Sequence, residues 1–190
     1  LKCKTVLTGN PVRSNLRGID PAENKHLNIL IIGGSQGAVG LNSLVVDSLE
    51  DLEGKLDVKI THQSGEYDFE RVNNAHDEKK IDSKVVSFID DMRDAYSRAD
   101  LVIARAGATT VAELIAARKP SILVPLPTAA DNHQEINALE IVKAGGGMML
   151  RQQESKGADL ARLIVELNEN KDKLNGMSEA LVSLDHPDAA

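Results

Sequence analysis

Short apolar runs alternate along the chain with longer stretches in which apolar residues return every three or four positions. The runs at 27–32, 58–62, 84–88, 101–104, 121–124 and 148–150 predict β-strands. Between them, 38–49, 65–74, 92–97, 109–117, 132–144 and 157–168 predict amphipathic helices, and 171–184 a final one. Strands and helices alternating at this spacing imply right-handed β-α-β units. The expected fold class is α/β: an open, twisted, parallel sheet of about six strands with helices on both faces. No repeat, low-complexity tract or internal linker interrupts the pattern, so the 190 residues read as one domain with room for a real core.

Composition narrows the chemistry. A hydrophobic content of 42% with 27% charged residues is that of a folded globular chain. The net charge of −7 argues against nucleic acid as main partner, because phosphate-backbone binding needs clustered Lys and Arg. Cys3 is the single cysteine, which fits a reducing compartment, and no Cys/His set has zinc spacing. No apolar run approaches the roughly 20 residues that a membrane-crossing helix needs, and the first residues lack signal-peptide design. The chain begins with Leu1 and ends on Ala190 without a helix stop signal, so it reads as part of a longer protein.

In a Rossmann-like sheet, ligands bind beyond the carboxyl ends of the strands. The informative residues should then follow the strands. Gly33-Gly34-Ser35-Gln36-Gly37-Ala38 follows the first strand and opens a helix. Its glycines permit positive φ and close backbone approach, and the N–H groups of the helix start favour an anion, with a phosphate at Ser35. It has neither the Lys of a Walker loop nor the G-x-G-x-x-G spacing, and a tight turn with Ser35 as helix cap is an equal alternative. Arg105-Ala106-Gly107-Ala108-Thr109-Thr110 repeats the design after the fourth strand, with Glu113 a turn further on. Two helix starts facing one crevice suit a diphosphate, and Glu113 suits ribose hydroxyls; the alternative is that Thr109 and Glu113 only favour the helix start. After the fifth strand, Asp131 is a candidate N-cap, and His133, Gln134 and Asn137 fall within about one turn of each other. Amide side chains with paired donors and acceptors suit neutral hydroxyls, hence a sugar.

Six stretches together carry a resemblance. Thr8-Gly9-Asn10-Pro11-Val12-Arg13, the 33–38 turn, His62-Gln63-Ser64-Gly65, Phe88-Ile89-Asp90-Asp91-Met92, the 105–110 turn with Glu113, and the run from Asp131 to Ala138 stand in this order. The set resembles the MurG family, the UDP-N-acetylglucosamine:N-acetylmuramyl-(pentapeptide) pyrophosphoryl-undecaprenol N-acetylglucosamine transferases of bacterial peptidoglycan synthesis. The resemblance implies one half of a two-domain GT-B enzyme: residues 1–190 as the C-terminal, nucleotide-sugar-binding domain, with the N-terminal acceptor domain, its proposed base and its membrane-facing patch absent. It implies UDP-N-acetylglucosamine and, through the other half, lipid I as partners. The implied location is the bacterial cytoplasm, with the whole enzyme peripheral on the cytoplasmic face of the membrane.

Carried over by position, the resemblance implies that Ser35 and its turn face the diphosphate and that the backbone of Ile89 reads uracil. Arg13 would reach the nucleotide. Ala108, Thr109 and Thr110 would meet phosphates and sugar, Glu113 the ribose, and His133, Gln134 and Asn137 the N-acetylglucosamine hydroxyls, while Asn42 stands behind the glycine turn. It also implies inversion through an oxocarbenium-like state with UDP leaving. The sequence has no Asp-x-Asp, so metal-independent donor binding without a cofactor is expected, with helix starts stabilising the leaving group. The isolated chain should bind donor without turnover. A stand-alone donor subunit of a split transferase and a non-enzymatic nucleotide-binding module are the alternatives.

Overall fold

The computed structural model describes residues 10, 12–19 and 25–185. Cys3 and Thr8, Gly9 and Pro11 of the first motif lie outside the described residues. Six strands, β1 (Leu27–Ile32), β2 (Val58–Gln63), β3 (Asp82–Val86), β4 (Leu101–Ala104), β5 (Ser121–Leu123) and β6 (Gly147–Met149), form one sheet. All the pairings are parallel, in the order β3-β2-β1-β4-β5-β6. Among the described residues, seven α-helices connect and cover them: α1 (Val39–Leu52), α2 (Phe69–Asp77), α3 (Met92–Arg98), α4 (Ala108–Ala116), α5 (His133–Ala144), α6 (Gly157–Glu169) and α7 (Lys171–Ala180).

The apolar runs become strands because both faces of the sheet are covered. Successive side chains of β1 go to opposite cores. Leu27, Ile29 and Ile31 pack with α1 and α6 through Leu41, Leu44, Leu160 and Ile164. Leu30 and Ile32 pack on the other face with Tyr96 of α3, Val111 and Leu114 of α4 and Ile141 of α5. β4 divides the same way, Leu101 and Ile103 against Val102 and Ala104. Each such side chain fully buried contributes roughly 1.5–3 kcal/mol relative to exposure.

Several expected boundaries move, each for a visible reason. The third strand occupies Asp82–Val86, two residues earlier than expected, because a parallel edge strand extends only as far as its partner. Gln63 pairs with Val86, and the last ladder bond, Ser64 N–H to Val86 O at 3.0 Å, releases Ser87 and Phe88 into the connection. α2 starts at Phe69 rather than at residue 65, since Gly65 is held at φ +80° in a turn. Asp131 is not the cap of α5: Asp131 and Asn132 both adopt left-handed backbone, φ 49° and 53°, and the helix begins at His133 without a side-chain cap.

The topology places a switch point between β1 and β4. From β1 the chain winds through β2 to β3 on one side, then crosses back to β4 on the other. The β1 and β4 turns therefore diverge around a crevice at their carboxyl ends, the ligand position of doubly wound sheets. The β3–α3 connection, residues 87–91, returns over that end to reach the α4 side of the sheet.

Candidate functional site

The first wall of the crevice is the 33–38 turn. Gly34 and Gly37 have φ +88° and +76°, a region that side chains resist, and Gly37 N–H closes the turn on Gly34 O at 2.9 Å. Gly37 has a second reason to be glycine. A Cβ there would stand 2.0 Å from the carbonyl oxygen of Ser64, and one on Gly65 would stand 2.3 Å from that of Gln36. The turns after β1 and β2 are thus in backbone-to-backbone contact, and Gln63 adds a bond from Nε2 to Gly34 O at 2.9 Å. Ser35 is exposed at the tip and does not cap α1, whose N-cap is Ala38 with no side-chain hydrogen bond.

The second wall is the turn after β4. Gly107 is the N-cap of α4, again without a side-chain cap, and Ala108, Thr109 and Thr110 form the first turn. The leading N–H groups of both helices have no intrahelical acceptor, and each helix start carries partial positive charge. Glu113 lies in the second turn of α4 and is half-buried. Its Oε2 accepts the hydroxyl of Tyr96 at 3.1 Å, which orients the carboxylate and leaves Oε1 for a ligand. Burial, then the Glu113 charge, pushes the Tyr96 hydroxyl well above its ordinary pKa, so it stays a donor. Ile89 belongs to the same wall: it is half-buried against the cluster containing Tyr96.

The α5 residues are used more structurally than sequence suggests. Asn137 donates from Nδ2 to Ala106 O at 3.0 Å and ties α5 to the β4 turn. Gln134 Oε1 accepts Leu126 N–H at 3.0 Å and fixes the loop after β5. Its amide NH2 and the Asn137 carbonyl oxygen stay available to hydroxyls. His133 is exposed, with Nδ1 donating to Ala130 O at 2.7 Å in its own 3-10 turn. Arg13 is also exposed; its carbonyl accepts Leu16 N–H at 3.0 Å in the 3-10 turn Ser14–Leu16. Hydrogen bonds and packing thus tie Ile89, Glu113 and Asn137 to the α4 side of the sheet, with Ser35 on the turn after β1, and tie neither Arg13 nor the His133 ring to them.

Ala108 and Asn137 also line an adjoining cavity of about 510 Å³ flanking α4 and α5, bounded by Asn10, Arg17 and Asp185. Ser35, Ile89 and Glu113 lie outside it. Asn10 joins this cavity to the start of α4, its Nδ2 donating to Ala108 O at 3.2 Å.

Sequence reading missed two supporting side chains. Arg105 is buried, and its guanidinium donates to the carbonyls of Val124 and Pro125 at 3.0 and 3.2 Å and to Gln152 Oε1 at 2.6 Å. It joins the turn after β4 to the loops after β5 and β6, and burial holds its pKa below the ordinary guanidinium value. Tyr96 was signalled only as the one aromatic in a polar helix. Among the described residues, no group of three or more His, Cys, Asp or Glu side chains is arranged to hold a metal, and no helix is long and apolar enough to cross a membrane.

Comparison with known proteins agrees with this architecture. Residues 28–190 match the model of the glycosyltransferase family 28 C-terminal domain. Relatives named UDP-N-acetylglucosamine--N-acetylmuramyl-(pentapeptide) pyrophosphoryl-undecaprenol N-acetylglucosamine transferase include one from Myxococcus xanthus, 42% identical over 98% of this chain and 50% of its own length. The Geobacter metallireducens relative is also 42% identical, over 98% of this chain and 53% of its own. The chain spans about half the length of the curated relatives it matches. Among solved structures, Acinetobacter baumannii MurG superposes with a TM-score of 0.81 at 34% identity, over 90% of this chain and 51% of that one. The fold alone is shared with the separately crystallised C-terminal domain of a group 1 glycosyl transferase, LpcC, from Francisella tularensis, at a TM-score of 0.60, 14% identity and 96% coverage of that chain. With its six-stranded parallel sheet matching one half of the GT-B enzyme MurG, the chain belongs to glycosyltransferase family 28 and carries that family's C-terminal domain.

Proposed function

We propose that this chain is the donor-binding half of an inverting N-acetylglucosaminyltransferase. It holds UDP-N-acetylglucosamine in the crevice between the 33–38 and 105–110 turns, and the rest of the protein presents the lipid-linked acceptor, lipid I, at the cytoplasmic face of the bacterial membrane. The observation that carries this reading is the pairing of two uncapped helix starts, α1 and α4, across the β1/β4 switch point, with the half-held Glu113 carboxylate beside the second.

Each part has a physical task. The diphosphate takes the N–H groups and partial positive charge of the two helix starts, with Ser35 at the tip of one turn and Thr109 and Thr110 in the other. Glu113 Oε1 accepts a ribose hydroxyl, and the 87–91 connection brings the Ile89 backbone to the base. Gln134 and Asn137 address sugar hydroxyls with the amide atoms that their structural bonds leave over. As the bond from sugar to diphosphate breaks, negative charge grows on UDP, and donors already aimed at it stabilise that charge without reorganising. The acceptor base lies in the other half, so this chain alone binds donor and leaves it intact.

Calorimetric titration with UDP-N-acetylglucosamine, UDP and UDP-glucose, with and without magnesium, tests this. Metal-independent binding that favours the N-acetylglucosamine donor is expected. No heat and no thermal shift with any of the three at millimolar concentration contradicts it.

A further inference from the structure

The 33–38 turn does not support itself; it leans on a buried polar cluster behind it. Gly37 rests against the backbone of Ser64 and Gly65, so whatever fixes that backbone fixes the turn. Asn42, in the first turn of α1 and fully buried, donates from Nδ2 to Ser64 O at 2.9 Å and to Asp68 Oδ2 at 2.8 Å. Asp68, immediately before α2, is held by two 2.7 Å bonds from Arg71, whose NH2 also reaches Ser43 Oγ at 3.3 Å. The start of α1, the 64–65 backbone and the start of α2 are thereby closed into one ring of contacts around the turn.

The ring determines its own protonation. With both Nδ2 hydrogens of Asn42 spent, its Oδ1 can only accept, so His62 Nε2, 3.1 Å away, carries a hydrogen and donates. His62 Nδ1 is then the acceptor of a neutral ring, and His76 Nε2, 3.2 Å away, donates to it. His76 Nδ1, buried and without a hydrogen-bond partner, is left as a bare lone pair, a cheaper orphan than an N–H. Burial lowers both pKa values, with His76 adding to the effect at His62, to about 3 for His62 and about 4 for His76, in accord with neutral rings. Asparagine is the side chain that satisfies this place, since it must give two hydrogens and take one. Leucine of similar bulk would leave the Ser64 carbonyl, Asp68 and the His62 N–H short of partners, and aspartate would set a second carboxylate against Asp68.

We infer that the Asn42–His62–Asp68 cluster is a positioning device that sets the 33–38 turn for a diphosphate while touching no ligand itself. This rests on the donor-binding reading above, in which that turn receives the phosphates. The specific consequence is a split between ligands: uridine, which depends on Ile89 and Glu113 across the crevice, is indifferent to the cluster, and UDP is not.

The test compares Asn42→Leu with the parent chain in titrations with UDP and with uridine, and by amide hydrogen exchange. UDP binding should weaken at least tenfold with uridine within about twofold, and exchange at residues 34–38 should speed at least tenfold while β4 and β5 keep their protection. Conservative His62→Gln, which keeps a donor toward Asn42 Oδ1, should retain UDP binding within about threefold where His62→Leu does not; this pair answers the question if Asn42→Leu fails to fold. UDP binding unchanged in both leucine variants, or UDP and uridine lost in proportion, overturns the inference. Failure of the parent chain to bind either ligand overturns the donor reading instead. Exchange then decides alone, and a 34–38 segment no faster in the variants than the rest of the chain overturns the positioning role.

Discussion

The two glycine turns that face each other across the crevice read alike in sequence and are built on different physics. Gly37, at positive φ, is pressed against the backbone of the β2 turn, where a Cβ would lie 2.0 Å from Ser64 O. Gly107 has φ −64° and ψ 147°, ordinary extended backbone, and a Cβ there would find only Thr110 Oγ1 at 3.9 Å. The first glycine is demanded by the protein, while the second keeps space open in front of a helix start. Their supports differ too. Neutral histidines and an asparagine back the first turn, and a buried cation, Arg105, with the Tyr96–Glu113 pair backs the second. A glycine-rich loop in a sequence therefore says that backbone comes close to something, and only the structure says whether that is the protein or open space.

This contrast can be broken in four ways, taken from the largest effect on stability to the smallest. Gly37→Ala forces a side chain into left-handed backbone and into the Ser64 carbonyl, and should cost about 3 kcal/mol or more in urea unfolding and abolish UDP binding. Acid should loosen the first turn before the second. The ordinary histidine pKa is 6.5, and the folded values are about 3 and about 4, so between these limits the unfolded chain binds protons that the folded chain refuses. Stability is then complete above pH 6.5 and declines as pH falls toward 4, by up to about 1.4 kcal/mol per pH unit for each ring. Thermal melts from pH 7.5 to 4.5 check this, and His76→Gln should flatten the slope by roughly half.

Tyr96→Phe removes the hydroxyl that orients Glu113 and should cost about 1 kcal/mol of stability and a few-fold in UDP affinity. Gly107→Ala should be neutral to slightly stabilising, about 0.5 kcal/mol, because alanine fits its backbone and lowers unfolded-chain entropy. UDP affinity should nonetheless fall several-fold, as the methyl enters the space in which the diphosphate is proposed to lie. A Gly107→Ala chain that is badly destabilised, or a Gly37→Ala chain that is not, would erase the distinction between the turns.

Most of the fold was legible because its sheet is buried on both faces: the runs at 27–32 and 101–104 are apolar at every position but Asn28, and nothing else accommodates them so well. The positions after those strands were legible for the same reason, since a strand's end fixes where its turn begins. The end of β3 was not, because a parallel strand stops where its neighbour stops, and Phe88 looks as apolar as any strand residue. The left-handed pair Asp131 and Asn132 was equally hidden, since both are residue types that also cap helices. Arg105 reads as an exposed cation in a loop; the partners that take its guanidinium when buried are the carbonyls of Val124 and Pro125 and Gln152, 47 residues further along. The bond from Tyr96 to Glu113 is invisible until two helices of different β-α units lie side by side. Long-range pairing of this kind leaves no local signature.

The measurement closest to the central claim is an amide NMR titration of the chain with UDP. The result expected is a set of perturbed amides confined to the two turns, residues 33–39 and 106–111, together with Ile89 and its neighbours, saturating without magnesium. Perturbation confined to the cavity flanking α4 and α5, or none at millimolar UDP in a folded chain, would contradict the assignment of the crevice as the donor site.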